Sequence, residues 1–222
     1  MRVIAHLTRL GFHRGTPEAI DEAKKTFAAQ CCVHLKNFLD GDLLEYLLRG
    51  VRSAAFARRV HQDVEVGEPP VDVVMSDAAA LGRVLFLLND PGLFRFVETL
   101  TGCAPVGCFM PTIFKMMASD GHFDTWHSDV DGNRMVALSV NLTEQAFEGG
   151  VLQIREAEGE KRMLCEIANT GLGDAMLFLV SPRLLHKVTD VTGNVPRTVL
   201  AGWFQREPQH GALFPRIPHT AA

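Results

Sequence analysis

Residues 126–154 read WHSDVDGNRMVALSVNLTEQAFEGGVLQI, and this stretch decides the fold class. Its central part, from Arg134 to Leu142, is an apolar run with β-branched residues, which is typical of a strand. Gly149 and Gly150 then indicate a turn that leads into a second short apolar run, 151–154. Short strands that are joined by glycine turns, with no helical period between them, predict a β-sandwich or jelly roll.

The same pattern continues on both sides of this stretch. Downstream, the glycine turn 171–174 leads into a buried-strand pattern, and two further strands follow. Upstream, two short apolar runs predict the first strands of the same core. The predicted strands outside the opening stretch are Val106–Phe109, Thr112–Met117, Ala175–Val180, His186–Asp190 and Arg197–Phe204.

The first half of the chain predicts supporting helices. Thr16 is a suitable N-cap for a helix that begins at Pro17 and runs to about Gln30. Further helices are predicted from Asp40 to near Arg59, from Ser76 to Asn89 and from Pro91 to Thr101, and alternating patterns predict strands at Cys32–Leu39 and Val60–Val66.

Length and composition favour one domain. With 222 residues, of which 47% are hydrophobic, the chain can bury a full core. We therefore predict a single mainly β domain with α-helices: residues 1–105 give helical support with one or two strands, 106–205 form the jelly-roll core, and 206–222 form an extended tail at the barrel mouth.

Charge and cysteine content exclude several classes of partner. A net charge of −4 argues against a nucleic-acid partner, which is normally met by a clustered basic face. No apolar run approaches the ~18 residues that span a bilayer, and the N-terminus lacks the apolar region of a signal peptide. Five cysteines without a C-x-x-C motif predict buried free thiols in a reducing compartment. We expect a cytoplasmic protein without a membrane or nucleic-acid partner.

Four polar residues in the second half suit metal chemistry: His127, Asp129, His186 and Arg197. Two imidazoles and one carboxylate can occupy one face of an octahedral metal and leave the other face open, as in non-heme Fe(II) oxygenases. A guanidinium can hold a carboxylate through two parallel hydrogen bonds, so Arg197 could anchor an acidic co-substrate at that metal.

The H-x-D motif is weak by itself because it occurs three times, beginning at His61, His122 and His127. Only His127 is followed at a suitable distance by the strand and the glycine turn. A histidine such as His186 is more often a core or surface residue than a ligand. Its place eleven residues before Arg197 favours the ligand interpretation.

Other residues near the motif have simpler interpretations. Arg134, at the start of a strand, is more often a salt-bridge partner at the rim than a site residue. Asp120, Asp124 and Asp131 could attract a cationic substrate, but a solvated loop explains them more simply. Trp126 could flank the metal or pack under the loop.

Taken in order, residues 121–204 resemble the double-stranded β-helix core of the Fe(II)/2-oxoglutarate oxygenases, most closely the prolyl-hydroxylase-like branch. The resemblance covers roughly the C-terminal half. It rests on Trp126-His127-Ser128-Asp129, on Arg134 before the strand that ends Asn141-Leu142, on Gly149-Gly150-Val151-Leu152, on Gly173-Asp174 ahead of Phe178, on His186-Lys187-Val188, and on Arg197 with Trp203 six residues later.

The resemblance implies that His127, Asp129 and His186 are the iron ligands and that Arg197 anchors 2-oxoglutarate. It further implies co-substrate contacts from Asn141, Val188 and Trp203, although many members carry a tyrosine where this chain has Asn141.

The activity that the resemblance implies is that of an Fe(II)- and 2-oxoglutarate-dependent dioxygenase. Such an enzyme consumes O2, releases succinate and CO2, and is expected to be stimulated by ascorbate. It would hydroxylate a C–H bond of an amino acid, a peptidyl residue or a small natural-product scaffold. Members that halogenate have a small residue in place of the ligand carboxylate, so Asp129 favours hydroxylation.

Two alternatives stay open at this point. A cupin-like, non-oxidative metalloenzyme such as a lyase or isomerase would keep the histidine and aspartate ligands but would not require Arg197. A non-catalytic β-sandwich binding module would require none of the four residues.

Overall fold

A computed structural model describes residues 3–60, 71–76, 81–117 and 122–208, with the backbone alone at positions 60 and 83. Within these ranges the helices are α1 (Pro17–Gln30), α2 (Gly41–Ser53), α3 (Gly82–Leu88) and α4 (Pro91–Thr101). The strands are β1 (Ala5–Thr8), β2 (Gly11–Arg14), β3 (Cys32–Leu35), β4 (Phe56–Val60), β5 (Val71–Met75), β6 (Cys108–Met116), β7 (Arg134–Asn141), β8 (Glu148–Gly149), β9 (Leu152–Glu156), β10 (Met163–Ile167), β11 (Ala175–Leu179), β12 (Leu184–Val188), β13 (Val191–Thr192) and β14 (Arg197–Gln205).

Two antiparallel sheets form the core that the sequence predicted. The larger has seven strands in the order β3-β11-β7-β14-β6-β5-β4, and the smaller has the order β10-β9-β12. Five of the eight strand pairings in these two sheets join strands that are not consecutive in the chain, as expected of a jelly roll. The prediction of a mainly β, double-stranded β-helix core with supporting helices is confirmed.

Alternate residues of the central strand β7 face different layers. Val136, Leu138 and Val140 are buried with the apolar faces of the helices, whereas Ala137 is buried against the smaller sheet. This alternation follows from the two-residue period of a strand. The seven-stranded sheet therefore separates a helical layer from the smaller sheet, and the site lies between the two sheets.

The helices form where local signals favour them. The Thr16 side chain accepts a hydrogen bond from the Ala19 N–H at 3.3 Å, and the proline at the first helical position begins α1 as predicted. Asp40 caps α2 in the same way, accepting from the Leu43 N–H at 2.8 Å. The helix predicted at 91–101 is α4.

Several predicted boundaries were wrong because tertiary pairing overrides local pattern. Helix α2 ends at Ser53 and not near Arg59, since 56–60 instead forms β4 and pairs with β5. The predicted strands 106–109 and 112–117 are one strand, β6, which pairs with β14 along its whole length. The helix predicted over 76–89 is reduced to α3 within the described residues, and the strand predicted at 32–39 ends at Leu35.

Some predictions lie outside the described residues. These are the strand at 60–66 beyond its first residue, and the tail from residue 209 onward. Gln205 is the last residue of β14. The division of the chain into one domain stays a prediction.

The expectation of five free thiols was wrong, because Cys32 and Cys165 form a disulfide. Cys32 lies on β3, at one edge of the larger sheet, and Cys165 lies on β10, at one edge of the smaller sheet. The two edges face each other across the apolar layer, so residues 133 positions apart in sequence come together. Cys31, Cys103 and Cys108 are free.

Among the described residues, no helix has both the length and the apolar character that crossing a membrane requires.

Candidate metal centre and co-substrate pocket

The structure brings His127, Asp129 and His186 together. One potential ligand atom from each lies within 4.8 Å of the others, and this is the one such group of three found among the described residues. His186 is on β12, and His127 and Asp129 are on the segment that runs beside it. Two nitrogens and a carboxylate oxygen in this arrangement match the donor set expected for a non-heme iron centre.

A short antiparallel bridge fixes the two histidines relative to each other. The His127 N–H donates to the His186 carbonyl at 3.0 Å, and the His186 N–H donates to the His127 carbonyl at 2.8 Å. Their ring centroids are consequently 4.2 Å apart. The spacing of the two imidazoles is thus set by backbone pairing.

Hydrogen bonding also selects the tautomer of His127. Its Nδ1 donates to the Thr125 carbonyl oxygen at 2.7 Å, and a carbonyl can only accept. The proton therefore resides on Nδ1, and the Nε2 lone pair faces the Asp129 carboxylate, 3.5 Å away. A hydrogen bond of this kind orients a ligand imidazole. The other imidazole, that of His186, is buried and packs against Phe178.

Asp129 is held in an unusual backbone conformation, with φ at +58°. Its Oδ2 accepts a hydrogen bond from the Trp203 indole N–H at 3.0 Å, and it lies 3.2 Å from His186 Nε2. Burial raises the pKa of the Asp129 carboxyl, but the hydrogen bond from His186, the two imidazoles and the Trp203 N–H outweigh burial and hold the pKa well below its usual range. The carboxyl is therefore ionised.

Arg197, at the start of β14, is buried near these residues, with only 4% of its surface exposed. Its Nε has no hydrogen-bond partner among the described residues. Burial lowers the pKa of Arg197 to about 10, with the nearby Asp124 carboxylate acting in the opposite direction. A buried, incompletely satisfied cation is costly unless an anionic group pairs with it. The pocket thus fits a ligand that binds the metal at one end and carries a carboxylate for Arg197 at the other.

The other three predicted co-substrate contacts lie in different surroundings. Val188 lines the cavity, and its N–H donates to Asp124 Oδ2 at 2.8 Å. Trp203 also lines the cavity, but its polar atom is directed at Asp129. Asn141 is fully buried. Its side-chain Nδ2 donates to the Gly171 carbonyl, and its Oδ1 accepts from the Thr143 N–H. With both ends of its amide engaged by the backbone, Asn141 does not line the cavity as it was expected to.

The second H-x-D pair has a structural role. The buried His122 accepts the Met117 N–H on Nδ1 at 3.0 Å, and Asp124 ties its own loop to β12 through Val188. Asp124 is therefore part of the framework and not of a solvated loop. The third pair, at His61 and Asp63, lies outside the described residues, as does Asp120.

Arg134 and Trp126 each take part in a contact between a guanidinium and an indole ring. Arg134 pairs with Asp131 at 3.1 Å, as predicted for a rim residue, but its guanidinium also stacks over the Trp203 ring at 3.8 Å. The Trp126 ring packs against the guanidinium of Arg155 at 4.0 Å on the smaller sheet.

The pocket extends well beyond these residues as an open cavity of about 1320 Å³. Arg59 also lines the cavity, where it makes a two-bonded ion pair with Asp72 and stacks on Phe114 at 4.3 Å. Sequence inspection missed this pair because it depends on β4 pairing with β5.

Comparison with known proteins gives one family. The model of the 2OG-Fe(II) oxygenase superfamily matches residues 112–205. No curated protein sequence matches the chain.

Solved structures share the fold at low sequence identity. A 2OG-Fe(II) oxygenase family oxidoreductase from Burkholderia pseudomallei superposes with a TM-score of 0.64 at 16% identity, covering 91% of this chain and 96% of its own. A Pseudomonas putida prolyl-4-hydroxylase gives 0.60 at 19% identity, covering 84% and 99%. The α-ketoglutarate-dependent epimerase SnoN from nogalamycin biosynthesis gives 0.65 at 18% identity, covering 93% of each chain.

The matched segment contains all four predicted site residues: His127, Asp129, His186 and Arg197. Residues 112–205 match the 2OG-Fe(II) oxygenase superfamily, and this match together with the His127–Asp129–His186 group identifies an Fe(II)- and 2-oxoglutarate-dependent dioxygenase.

Proposed function

We propose that this dioxygenase hydroxylates a C–H bond of an amino acid, a peptidyl residue or a small natural-product scaffold. His127, Asp129 and His186 would hold the iron, and Arg197 would hold the distal carboxylate of 2-oxoglutarate. The bound iron and co-substrate supply the oxidising chemistry: one O2 and one 2-oxoglutarate are consumed, succinate and CO2 are released, and one oxygen atom enters the C–H bond.

One observation carries the assignment of Arg197. The guanidinium is buried near the three candidate ligands, and its Nε lacks a partner among the described residues. A dicarboxylate that chelates the metal through its oxo-acid end would bring its second carboxylate to such a cation. A non-oxidative metal site would not need this group, so the arginine favours the dioxygenase over the cupin-like alternative.

The chain's own contribution is orientation. The hydrogen bond from His127 Nδ1 to Thr125 directs Nε2 toward the metal position, and the bridge to His186 sets the distance between the two imidazoles. Phe178, packed against His186, supplies an apolar wall. Such a wall limits water near the reacting atoms and strengthens the ion pair at Arg197.

Structural relatives support the range of proposed substrates. A prolyl hydroxylase from Trichoplax adhaerens was solved with a peptide fragment of a hypoxia-inducible factor, and SnoN was solved with Fe3+, α-ketoglutarate and nogalamycin RO. The open cavity of this chain can admit either a peptide segment or a small molecule. We place the substrate in this range, and the ligand carboxylate, Asp129, favours hydroxylation over halogenation.

The anchor is tested by adding Fe(II) and 2-oxoglutarate without oxygen and following the weak visible metal-to-ligand charge-transfer band. Arg197→Ala should weaken 2-oxoglutarate binding by about a hundredfold or more, because one side of a buried charge pair is lost at a cost of about 3–5 kcal/mol. Arg197→Lys should recover part of the affinity, since it keeps the charge without the two-bonded geometry. Parental affinity in Arg197→Ala would remove the anchor and favour the cupin-like alternative.

The stoichiometry of the products tests the proposed reaction. Succinate and CO2 should form in a fixed ratio to hydroxylated product, with slow uncoupled turnover when no substrate is present. Succinate formation that does not depend on added Fe(II) would contradict the proposal.

A further inference from the structure

The carboxylate of Asp129 has a neighbour whose role the proposed function leaves open. Trp203, on β14, donates its single indole hydrogen to Asp129 Oδ2 at 3.0 Å, across 74 residues of sequence. Indole is a donor and never an acceptor. The contact therefore has one direction and places one carboxylate oxygen at a fixed point.

The backbone of Asp129 needs such a restraint. At φ +58° it lies in the left-handed region, which few residues other than glycine, asparagine and aspartate occupy and which costs free energy for any residue except glycine. Arg134 contributes a second restraint, because its Nη1 donates to the Asp129 carbonyl at 3.4 Å and lies 3.7 Å from Oδ1. The contacts from Trp203 and Arg134 thus both act on Asp129, which lies five residues before the start of β7.

Trp203 is itself held in place. The guanidinium of Arg134 stacks over its ring at 3.8 Å, and Asp131 pairs with that guanidinium at 3.1 Å. Asp131 also accepts the backbone N–H groups of Asn133 and Arg134. A connected set of contacts thus runs from Asp131 through Arg134 and Trp203 to the carboxylate of Asp129.

The identity of the donor matters for a metal ligand. A cation that bonded Oδ2 directly would neutralise part of the negative charge that attracts the metal. The neutral indole N–H orients the carboxylate without placing a positive charge at Oδ2, while the Arg134 cation lies farther away, 3.7 Å from Oδ1.

We propose that Trp203 is a positioning residue for the metal site: its N–H holds Oδ2 and thereby fixes the orientation in which the Asp129 carboxylate faces the two imidazoles. This inference rests on the proposed function only in taking Asp129 as an iron ligand. Trp203 thereby acts through Asp129 and not through direct contact with 2-oxoglutarate, which was its predicted role.

The test compares Trp203→Phe with Trp126→Phe. The first keeps an aromatic ring under Arg134 and removes the N–H; the second makes the same change at the other tryptophan, whose ring contacts Arg155 and Lys187. Fe(II) affinity is measured without oxygen by chelator competition, alongside the position of the 2-oxoglutarate charge-transfer band and the melting temperature of metal-free protein.

Loss of a group that orients a metal ligand typically weakens metal binding about 10- to 100-fold. We expect this loss and a displaced charge-transfer band in Trp203→Phe, with parental values in Trp126→Phe. Arg134→Met should give a smaller loss, since the N–H contact remains. If Trp203→Phe fails to fold, Trp203→Met takes its place, since its flexible side chain fills irregular space and likewise has no N–H: parental iron affinity and an unmoved band there would overturn the proposal.

Two failures can be distinguished. Parental iron affinity and an unmoved band in folded Trp203→Phe would overturn the positioning role while leaving the dioxygenase intact. Absence of iron binding or of the charge-transfer band in the unaltered protein would instead overturn the proposed function.

Discussion

Gly150 lies directly against Arg197. A β-carbon at position 150 would come within 2.5 Å of Arg197 Cδ and 3.2 Å of Nε, with the Phe147 ring closing the other side at 3.0 Å. The glycine turn after β8 therefore leaves the space in which the arginine side chain lies.

Gly150→Ala should consequently displace the Arg197 side chain and weaken 2-oxoglutarate binding by about tenfold or more, while iron binding is kept. The charge-transfer titration measures the first and chelator competition the second. Gly159→Ala is a matched control, since its φ of +66° resembles the +62° of Gly150 but a β-carbon there meets nothing within 4 Å. Equal affinities in the two variants would show that the close packing does not matter.

The two described H-x-D pairs should respond differently to mutation. His127→Ala should lose iron and turnover. His122→Ala should keep iron but lower the free energy of unfolding by about 1–3 kcal/mol, because the buried Met117 N–H loses its acceptor. Metal content and denaturant unfolding measure the two effects. Retained turnover in His127→Ala together with loss of iron in His122→Ala would reverse the assignment.

The metal-free protein should lose stability in acid through Asp129. Its folded pKa lies below the usual value of 3.8, so the unfolded chain binds more protons in this range. The stabilising contribution is therefore complete above about pH 4 and is lost as the pH falls toward the folded pKa. Denaturant unfolding with a chelator at successive pH values should show a shallower acid slope in Asp129→Asn. Asp21→Asn, at an exposed position, should retain the parental slope.

Reduction of the Cys32–Cys165 disulfide should destabilise the protein by about 2–5 kcal/mol, since the bond closes a long loop in the unfolded chain. Thermal or denaturant unfolding with and without a reductant measures the difference. A double variant with alanine at positions 32 and 165 should be insensitive to reductant, whereas Cys108→Ala should behave like the parent. Identical unfolding curves for the parent in both conditions would mean that the bond contributes nothing.

Local signals in the sequence were sufficient for much of the core. The N-cap and proline at Thr16 and Pro17 determined where α1 begins, and β7, β11 and β14 were recognisable from apolar runs between glycine turns. These elements are decided by residues close in sequence, so their positions could be predicted within a residue or two.

Elements that depend on distant partners could not be predicted in this way. Strands β4 and β10 have little apolar alternation of their own and exist because β5 and β9 pair with them. The disulfide likewise depends on two sheet edges that meet only after folding.

The candidate site likewise contains residues that the sequence indicates and a contact that it does not. Context singled out His127, Asp129, His186 and Arg197, which the structure brings into one pocket, while their roles stay predictions. The contact between Trp203 and Asp129 had no sequence signal, because an indole donor is recognisable only once its acceptor is known.

The backbone bridge between His127 and His186 has a consequence for metal selection. Because strand pairing sets the imidazole spacing, folding and not the ion fixes two of the three donors. A donor set of two imidazoles and one carboxylate does not by itself select iron. Intrinsic affinity should then follow the Irving–Williams series, with Co(II), Ni(II), Cu(II) and Zn(II) all bound more tightly than Fe(II). Occupancy by iron therefore depends on which metals are present where the chain folds, and copurified zinc or nickel would be expected to block turnover without disturbing the fold.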